Sequence, residues 1–251
     1  MLVAAAVCPC PPLLVPELAA GAAPELAAAR AACTDALGVL AAARPDRLVV
    51  VGPAGESGRG VSEEGNGHGA YAEGARGSFR GFGVDVDVRL GRAGDGATAP
   101  ESSRRPLPSS LAVAAWLLER TGWADAPIEG LAVGEPLAAE RCTDIGRDIA
   151  ARAERVALLV MGDASACRTL KAPGYLDERA EPFDASVARA LGKADVAALK
   201  SLDIELARDL KASGRAPWQI LAGAAEQAGL SGTLLYDDAP YGVGYLVATW
   251  S

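Results

Sequence analysis

The sequence predicts an α/β protein of three layers, with a central, mostly parallel or mixed sheet flanked by helices on both faces. Three observations predict it. Short apolar, often β-branched runs recur along the chain, and Gly, Pro or Asp closes them, as in Leu48-Val49-Val50-Val51-Gly52-Pro53. Continuous apolarity of that kind fits strands covered on both faces. Ala- and Leu-rich stretches with helical spacing lie between these runs, and strands alternating with helices build a layered α/β sheet. Finally, half of the 251 residues are hydrophobic while only 5% are aromatic, so the core is aliphatic and the helices pack closely.

In chain order, Leu2 to Val7 is a short apolar strand stopped by Pro9, Pro11 and Pro12, because proline cannot donate to a sheet ladder. Pro16 to Ala43 carries one or two helices, and Arg47 to Val51 is a buried strand. Ala54 to Gly83 is Gly-rich and polar, a long functional or mobile loop. Val84 to Leu90 alternates Val and Asp, the period of a strand with one wet face. Gly91 to Pro106 is again a loop, and Ser109 or Ser110 caps a helix over Leu111 to Arg120. A strand at Gly130–Val133, a helix at Ala138–Ala153 and a strongly apolar strand at Arg155–Met161 follow. Asp184 to Leu210 is helical with a break near Leu202-Asp203, Trp218 to Ala228 is helical, and Thr233–Tyr236 with Gly244–Thr249 form a closing pair of strands. No repeat or dividing linker is visible. Residues 1–251 therefore read as one α/β domain with long loops at about 54–83 and 91–108.

A formal net charge of -8 argues against nucleic-acid and anionic-membrane partners, which require clustered positive charge. Arg104 and Arg105 are adjacent, but two basic residues before a proline suit a solvated loop. Cys8, Cys10, Cys33, Cys142 and Cys167 form an odd set, and no basic region precedes the apolar start, which is too short to span a bilayer. Free thiols in a reducing, cytoplasmic setting are the expectation.

Ligands of open α/β sheets collect outside the carboxyl ends of strands. That rule directs attention to Cys8–Pro12, Gly52–Glu56, Gly162–Cys167 and Asp237–Tyr241. Cys8-Pro9-Cys10-Pro11-Pro12-Leu13-Leu14 resembles the strand-end motif of the class III extradiol ring-cleavage dioxygenases, in which an iron-binding His precedes paired prolines. Val49-Val50-Val51-Gly52-Pro53 is similar to the second metal-ligand strand of that LigB/Memo-like superfamily. Val160 to Ala166 resembles the strand and turn carrying the catalytic His, and Tyr241-Gly242-Val243-Gly244-Tyr245 the closing strand. The likeness extends in order over nearly the whole chain and is nearest to an actinobacterial branch of the superfamily.

The resemblance implies ferrous iron held by two His and a carboxylate, with open positions for catechol and dioxygen, and an acid/base for the catechol proton. The residues depart from it. Cys10 stands at the first His position, Ala54-Gly55-Glu56 at the second, and Ala166 at the catalytic His. With His68 the one histidine present, a two-His site within one chain is impossible.

Several residues remain as candidates. Cys10 is a metal ligand if its thiolate forms and a small buried hydrophobe if it does not. Cys8 and Cys10 would face the same side of a strand. His68 and Glu56 are substitute ligands or solvated loop residues, and Asp237 or Asp238 is a carboxylate ligand or a turn cap. Asp163 and Ser165 line the expected site, Asp163 shaping the Ala164-Ser165 turn. Ser165 as a nucleophile would need a base, for which Lys171 is the nearby candidate.

The leading expectation is an extradiol-dioxygenase-like protein that has lost ring cleavage, needs no cofactor, and binds a small molecule or a partner. Whether it is an enzyme stays open. One alternative is a metalloenzyme with a remodelled Cys10/Glu56/His68/Asp237 or Asp238 site holding Fe or Zn. Another is a non-enzymatic Memo-like interaction protein. A homodimer is the assembly most often formed by such domains.

Overall fold

The computed structural model describes residues 1–55, 68–92 and 105–251. Seven strands form one sheet in the order β3-β6-β2-β7-β1-β9-β8. They are β1 (Leu2–Cys8), β2 (Arg47–Pro53), β3 (His68–Tyr71), β6 (Ile128–Val133), β7 (Val156–Met161), β8 (Gly232–Asp238) and β9 (Tyr245–Trp250). The four central strands are parallel, β3 is antiparallel on one edge, and the β8–β9 hairpin closes the other. Helices cover both faces, so the fold is α/β with a mixed sheet, as the sequence predicts. Among the described residues no helix is long and apolar enough to cross a membrane.

The apolar runs divide by the period of two expected of strands. Ala6 and Cys8 of β1, Leu48 and Val50 of β2, and Leu159 and Met161 of β7 face one core. That core is covered by α2 (Ala27–Ala42) and α3 (Ser109–Thr121), the first preceded by the single turn α1 (Pro16–Ala19). Val7, Val49, Val51, Leu158 and Val160 face a second core. It is covered by α4 (Ala139–Ala150), α5 (Ala180–Gly192), α6 (Val196–Lys200), α7 (Ile204–Asp209) and α8 (Arg215–Ala225). Helices α4 and α8 meet almost backbone to backbone. A Cβ on Gly146 would lie 2.1 Å from the Ile220 carbonyl, and one on Gly223 2.2 Å from that of Thr143.

Several expectations change. The stretch 54–83 is not loop throughout: it contains β3, β4 (Arg76–Ser78) and a 3-10 turn over Arg80–Phe82. The Val/Asp alternation is real, with Val88 buried and Asp85 and Asp87 paired to Arg80. Its strand, β5 (Asp87–Arg89), pairs with β4 in a separate two-stranded sheet. Neither Ser109 nor Ser110 caps α3; Pro108 precedes the helix, and the Ser110 hydroxyl donates to the Pro53 carbonyl at 2.6 Å. The 184–210 region breaks twice, each time where an aspartate caps the next helix. Asp203 accepts from Leu206 N, as the predicted break requires, and Asp195 accepts from Ala198 N.

Candidate functional site at the strand ends

Because β2, β7 and β1 are parallel neighbours, their carboxyl ends lie along one edge, and β8 delivers its own end there after the antiparallel β9. Loops after these strands are stitched together by backbone bonds: Gly162 N to Cys8 O (3.0 Å), Ala164 N to Gly244 O (2.8 Å), Gly244 N to Ser165 O (2.8 Å) and Arg168 N to Gly242 O (3.0 Å). The 162–168 loop is thereby tied both to the end of β1 and to the β8–β9 turn.

At the centre of this edge the Cys10 backbone N–H donates to Asp163 Oδ1 at 2.8 Å. Asp163 is also held by its main chain, its N–H donating to Ser213 Oγ (3.1 Å) and its carbonyl accepting from Gly214 N (2.9 Å). A Cβ on Gly162 would fall 2.4 Å from Gly214 Cα, so only two glycines let β7 approach the start of α8 this closely. Asp163 as a residue is partly exposed. Desolvation pushes its carboxyl up to about 7, opposed by the Cys10 N–H.

Cys10 is 7% exposed. Burial raises its thiol well above the ordinary range and the nearby Asp163 adds to the rise, while a hydrogen bond with Ser213 opposes it. Cys8 is raised by its hydrogen bond with the Cys33 thiol and by burial. Both are protonated thiols at neutral pH, and a thiol without its thiolate is a poor metal ligand. They belong to the same core face, as strand spacing requires. Tyr245, 2% exposed, opens β9 beside them. Its hydroxyl is raised by burial and by Asp163 and Cys10, in that order.

Asp163 does not shape the Ala164-Ser165 turn. Asp184 of α5 does so: Ser165 N donates to its Oδ1 and Ser165 Oγ to its Oδ2, both at 2.8 Å, and Arg168 Nη1 reaches Oδ2 at 3.2 Å. Ser165 is fully buried with both donors engaged, while Lys171 is exposed. This is a clamp on the loop. Ala166 is 8% exposed and tied by its backbone to Leu210 and Gly174.

The proposed metal ligands are not brought together. His68 is on β3, paired with Val133, and four strand spacings separate it from β1, a distance of about 19 Å. Asp237 and Asp238 are exposed at the end of β8. Asp238 Oδ1 accepts from Ala239 N at 2.7 Å, a turn cap, and Asp237 faces Arg168. Glu56 lies outside the described residues. Among the described residues no group of three or more His, Cys, Asp or Glu could hold a metal ion. The donor set implied by an extradiol iron centre is therefore not matched by these side chains.

No family model matches the chain, and no curated protein matches it. Its fold is shared with a protein of Escherichia coli. The chain is similar to the crystal structure of the uncharacterized protein JW3007 from E. coli K12, at 14% identity and a TM-score of 0.50 over 99% of this chain and 100% of that one. At that identity the likeness is one of fold.

Sequence reading missed a second polar cluster, at the end of β6. Arg215, the first residue of α8, has a fully buried side chain. Its Nη1 donates to Leu137 O (2.6 Å) and Gln219 Oε1 (3.0 Å), and its Nη2 is 3.5 Å from Glu135 Oε2. Desolvation pushes the Glu135 carboxyl up to about 7 against the pull of Arg215 and of a hydrogen bond from Ala216 N–H. The same strand-end rule, applied to β6, would have found Glu135. Tyr245 stood in a recognised motif but was read only as part of a strand.

Proposed function

We propose that this chain is an extradiol-dioxygenase-like protein without an iron site, in which the strand-end cluster around Asp163 binds a small molecule. The observation that carries the reading is the arrangement at Cys10. Its backbone rather than its sulfur engages the neighbouring carboxylate, its thiol is held protonated, and the one histidine is four strands away. Ring cleavage of the extradiol kind needs an imidazole-rich facial set with open positions, and Ala166 supplies no proton-transfer group where the resemblance places the catalytic His. What remains is a carboxyl with a strongly perturbed pKa on a partly exposed residue, beside Tyr245 at the start of β9, features that support a ligand site.

The reading is tested by anaerobic reconstitution with ferrous ion, metal analysis after desalting, and oxygenation in the presence of catechol. Less than a tenth of an equivalent of iron, on the order expected for adventitious binding to scattered carboxylates, and no ring-opened product are expected. Stoichiometric iron together with ring-opened product would overturn the proposal.

A further inference from the structure

The outer strand β8 is an open edge of the sheet. Among the described strands it pairs with β9 alone, and Thr233, Leu234 and Leu235 are exposed. The hairpin fixes where its free backbone groups point. Ser231 and Ser251 exchange both backbone bonds, at 3.0 and 3.1 Å, and bonded and non-bonded pairs of an antiparallel ladder alternate from such a pair. Gly232 opposite Trp250 and Leu234 opposite Ala248 are therefore non-bonded pairs, whose N–H and C=O groups turn away from β9. No described backbone group outside the hairpin bonds to them. Thr233, between them and opposite Thr249, turns its own groups to β9.

Natural sheet edges are shielded by proline, by charge or by a bulge. In β8 the register shifts at Leu235, and acids follow at Asp237 and Asp238. The stretch before them is unshielded: Leu230 to Tyr236 contains neither proline nor a charged residue. It displays Leu234 and Leu235 at 36% and 39% exposure.

We propose that the chain forms a two-fold dimer in which β8 pairs antiparallel with β8 of a second copy, Thr233 against the partner's Thr233 at the axis. This register sets Gly232 of each copy against the partner's Leu234, so the outward groups make four N–H···O bonds. The two Leu234 side chains become diagonal neighbours on the α5 face, and the facing threonines form a favourable cross-strand pair. Charge is what selects a second copy. The segments that meet, Leu230 to Tyr236 of each chain, are uncharged. The two Asp237 lie eight residues apart along the ladder, about 27 Å, well beyond the Debye length of about 8 Å at physiological salt. A chain of net charge -8 thus meets its copy along an edge where no like charges face each other. The dimer is independent of the small-molecule reading.

The test is sedimentation velocity of the full chain over a dilution series. Four backbone bonds and a small apolar contact make a weak interface, with dimers expected at about 10–100 μM. Thr233→Asp and Thr233→Lys each set a charge directly against its own copy, and each should weaken association about fivefold or more. Thr233 is exposed, so both variants should fold. Their equimolar mixture should dimerise again, because opposite charges then meet. In the unsubstituted chain, dilution should speed hydrogen exchange at the Gly232 and Leu234 amides but not at the Thr233 amide. A chain that stays monomeric at about ten times the expected concentration overturns the proposal. So does a dimer that survives in both variants, a mixture that stays monomeric, or a dimer whose dissociation leaves Gly232 and Leu234 exchange unchanged.

Discussion

Replacing Asp163 by Asn should stabilise the folded chain at pH 8 and leave its stability nearly unchanged at pH 4. An unfolded aspartate ionises near 3.9, whereas in the fold this carboxyl holds its proton up to about 7. Between those values the folded chain keeps a proton that the unfolded chain has released. Stability from this group is therefore greatest below about pH 4, falls as pH rises towards 7, and stays low above it. The separation corresponds to about 4 kcal/mol as a ceiling. Asp163 is a partly exposed residue, and the effective dielectric of real protein sites lies well above that of a dry interior, so the expected penalty is about 1–2 kcal/mol. Asparagine keeps the carbonyl oxygen that accepts from Cys10 N–H and carries no charge to desolvate. At this chain length the gain corresponds to a Tm higher by about 2–8 °C. Urea unfolding followed by tryptophan fluorescence at pH 4 and pH 8 measures both ends. A variant less stable at pH 8, or shifted equally at both pH values, would refute desolvation as the cause.

Asp184→Ala should cost about 3–5 kcal/mol, since it strands two buried Ser165 donors and the Arg168 guanidinium; chemical denaturation should show Asp184→Asn losing clearly less. Gly223→Ala should destabilise by more than about 3 kcal/mol or prevent folding, because the added methyl meets the Thr143 backbone, which cannot give way; calorimetry that finds a loss under 1 kcal/mol refutes the close helix contact. The five cysteines, all buried and free, should be silent to a thiol reagent at pH 8 in the native chain and should all react after unfolding. Rapid native labelling of Cys10 would contradict its burial and its raised pKa.

The layers were legible because burial on both faces leaves a direct trace: Leu48 to Val51 and Val156 to Met161 have no polar residue to hide. The pairing of elements was less legible. The Val84–Asp87 alternation gives the same period whichever sheet receives the strand, and its partner β4 is only three residues long. Capping failed at Ser110 for a tertiary reason: its hydroxyl is drawn to the Pro53 carbonyl, 57 residues away, and nothing local signals that contact. At the site, the strand-end rule located Cys10 and Asp163 but not their partners. Asp184 lies nineteen residues beyond Ser165, and Ser213 fifty beyond Asp163, so neither shares a local motif with the group it holds. Histidine scarcity could be counted; the distance of His68 from Cys10 depended on strand order, which residue patterns do not encode.

One helix start ties the two perturbed carboxyls together. Gly214 N donates to the Asp163 carbonyl, and the Ala216 N–H pulls the Glu135 carboxyl down, so the first turn of α8 acts on the ends of β7 and β6 at once. A helix N-terminus favours nearby negative charge by about 0.3–1 kcal/mol, less than one pH unit of carboxyl ionisation. Both carboxyls nevertheless stand near 7, so desolvation outweighs the dipole at each. Arg215 sharpens the point. Its Nε and Nη2 form no hydrogen bond although the Glu135 carboxylate is 3.5 Å away, leaving an ion pair that a small rotation of Glu135 would close. An edge assembled only for stability would pair these groups fully or replace them with apolar side chains. Two proton-holding carboxyls on either side of one helix start, each destabilising at neutral pH, are what the proposed ligand site would retain.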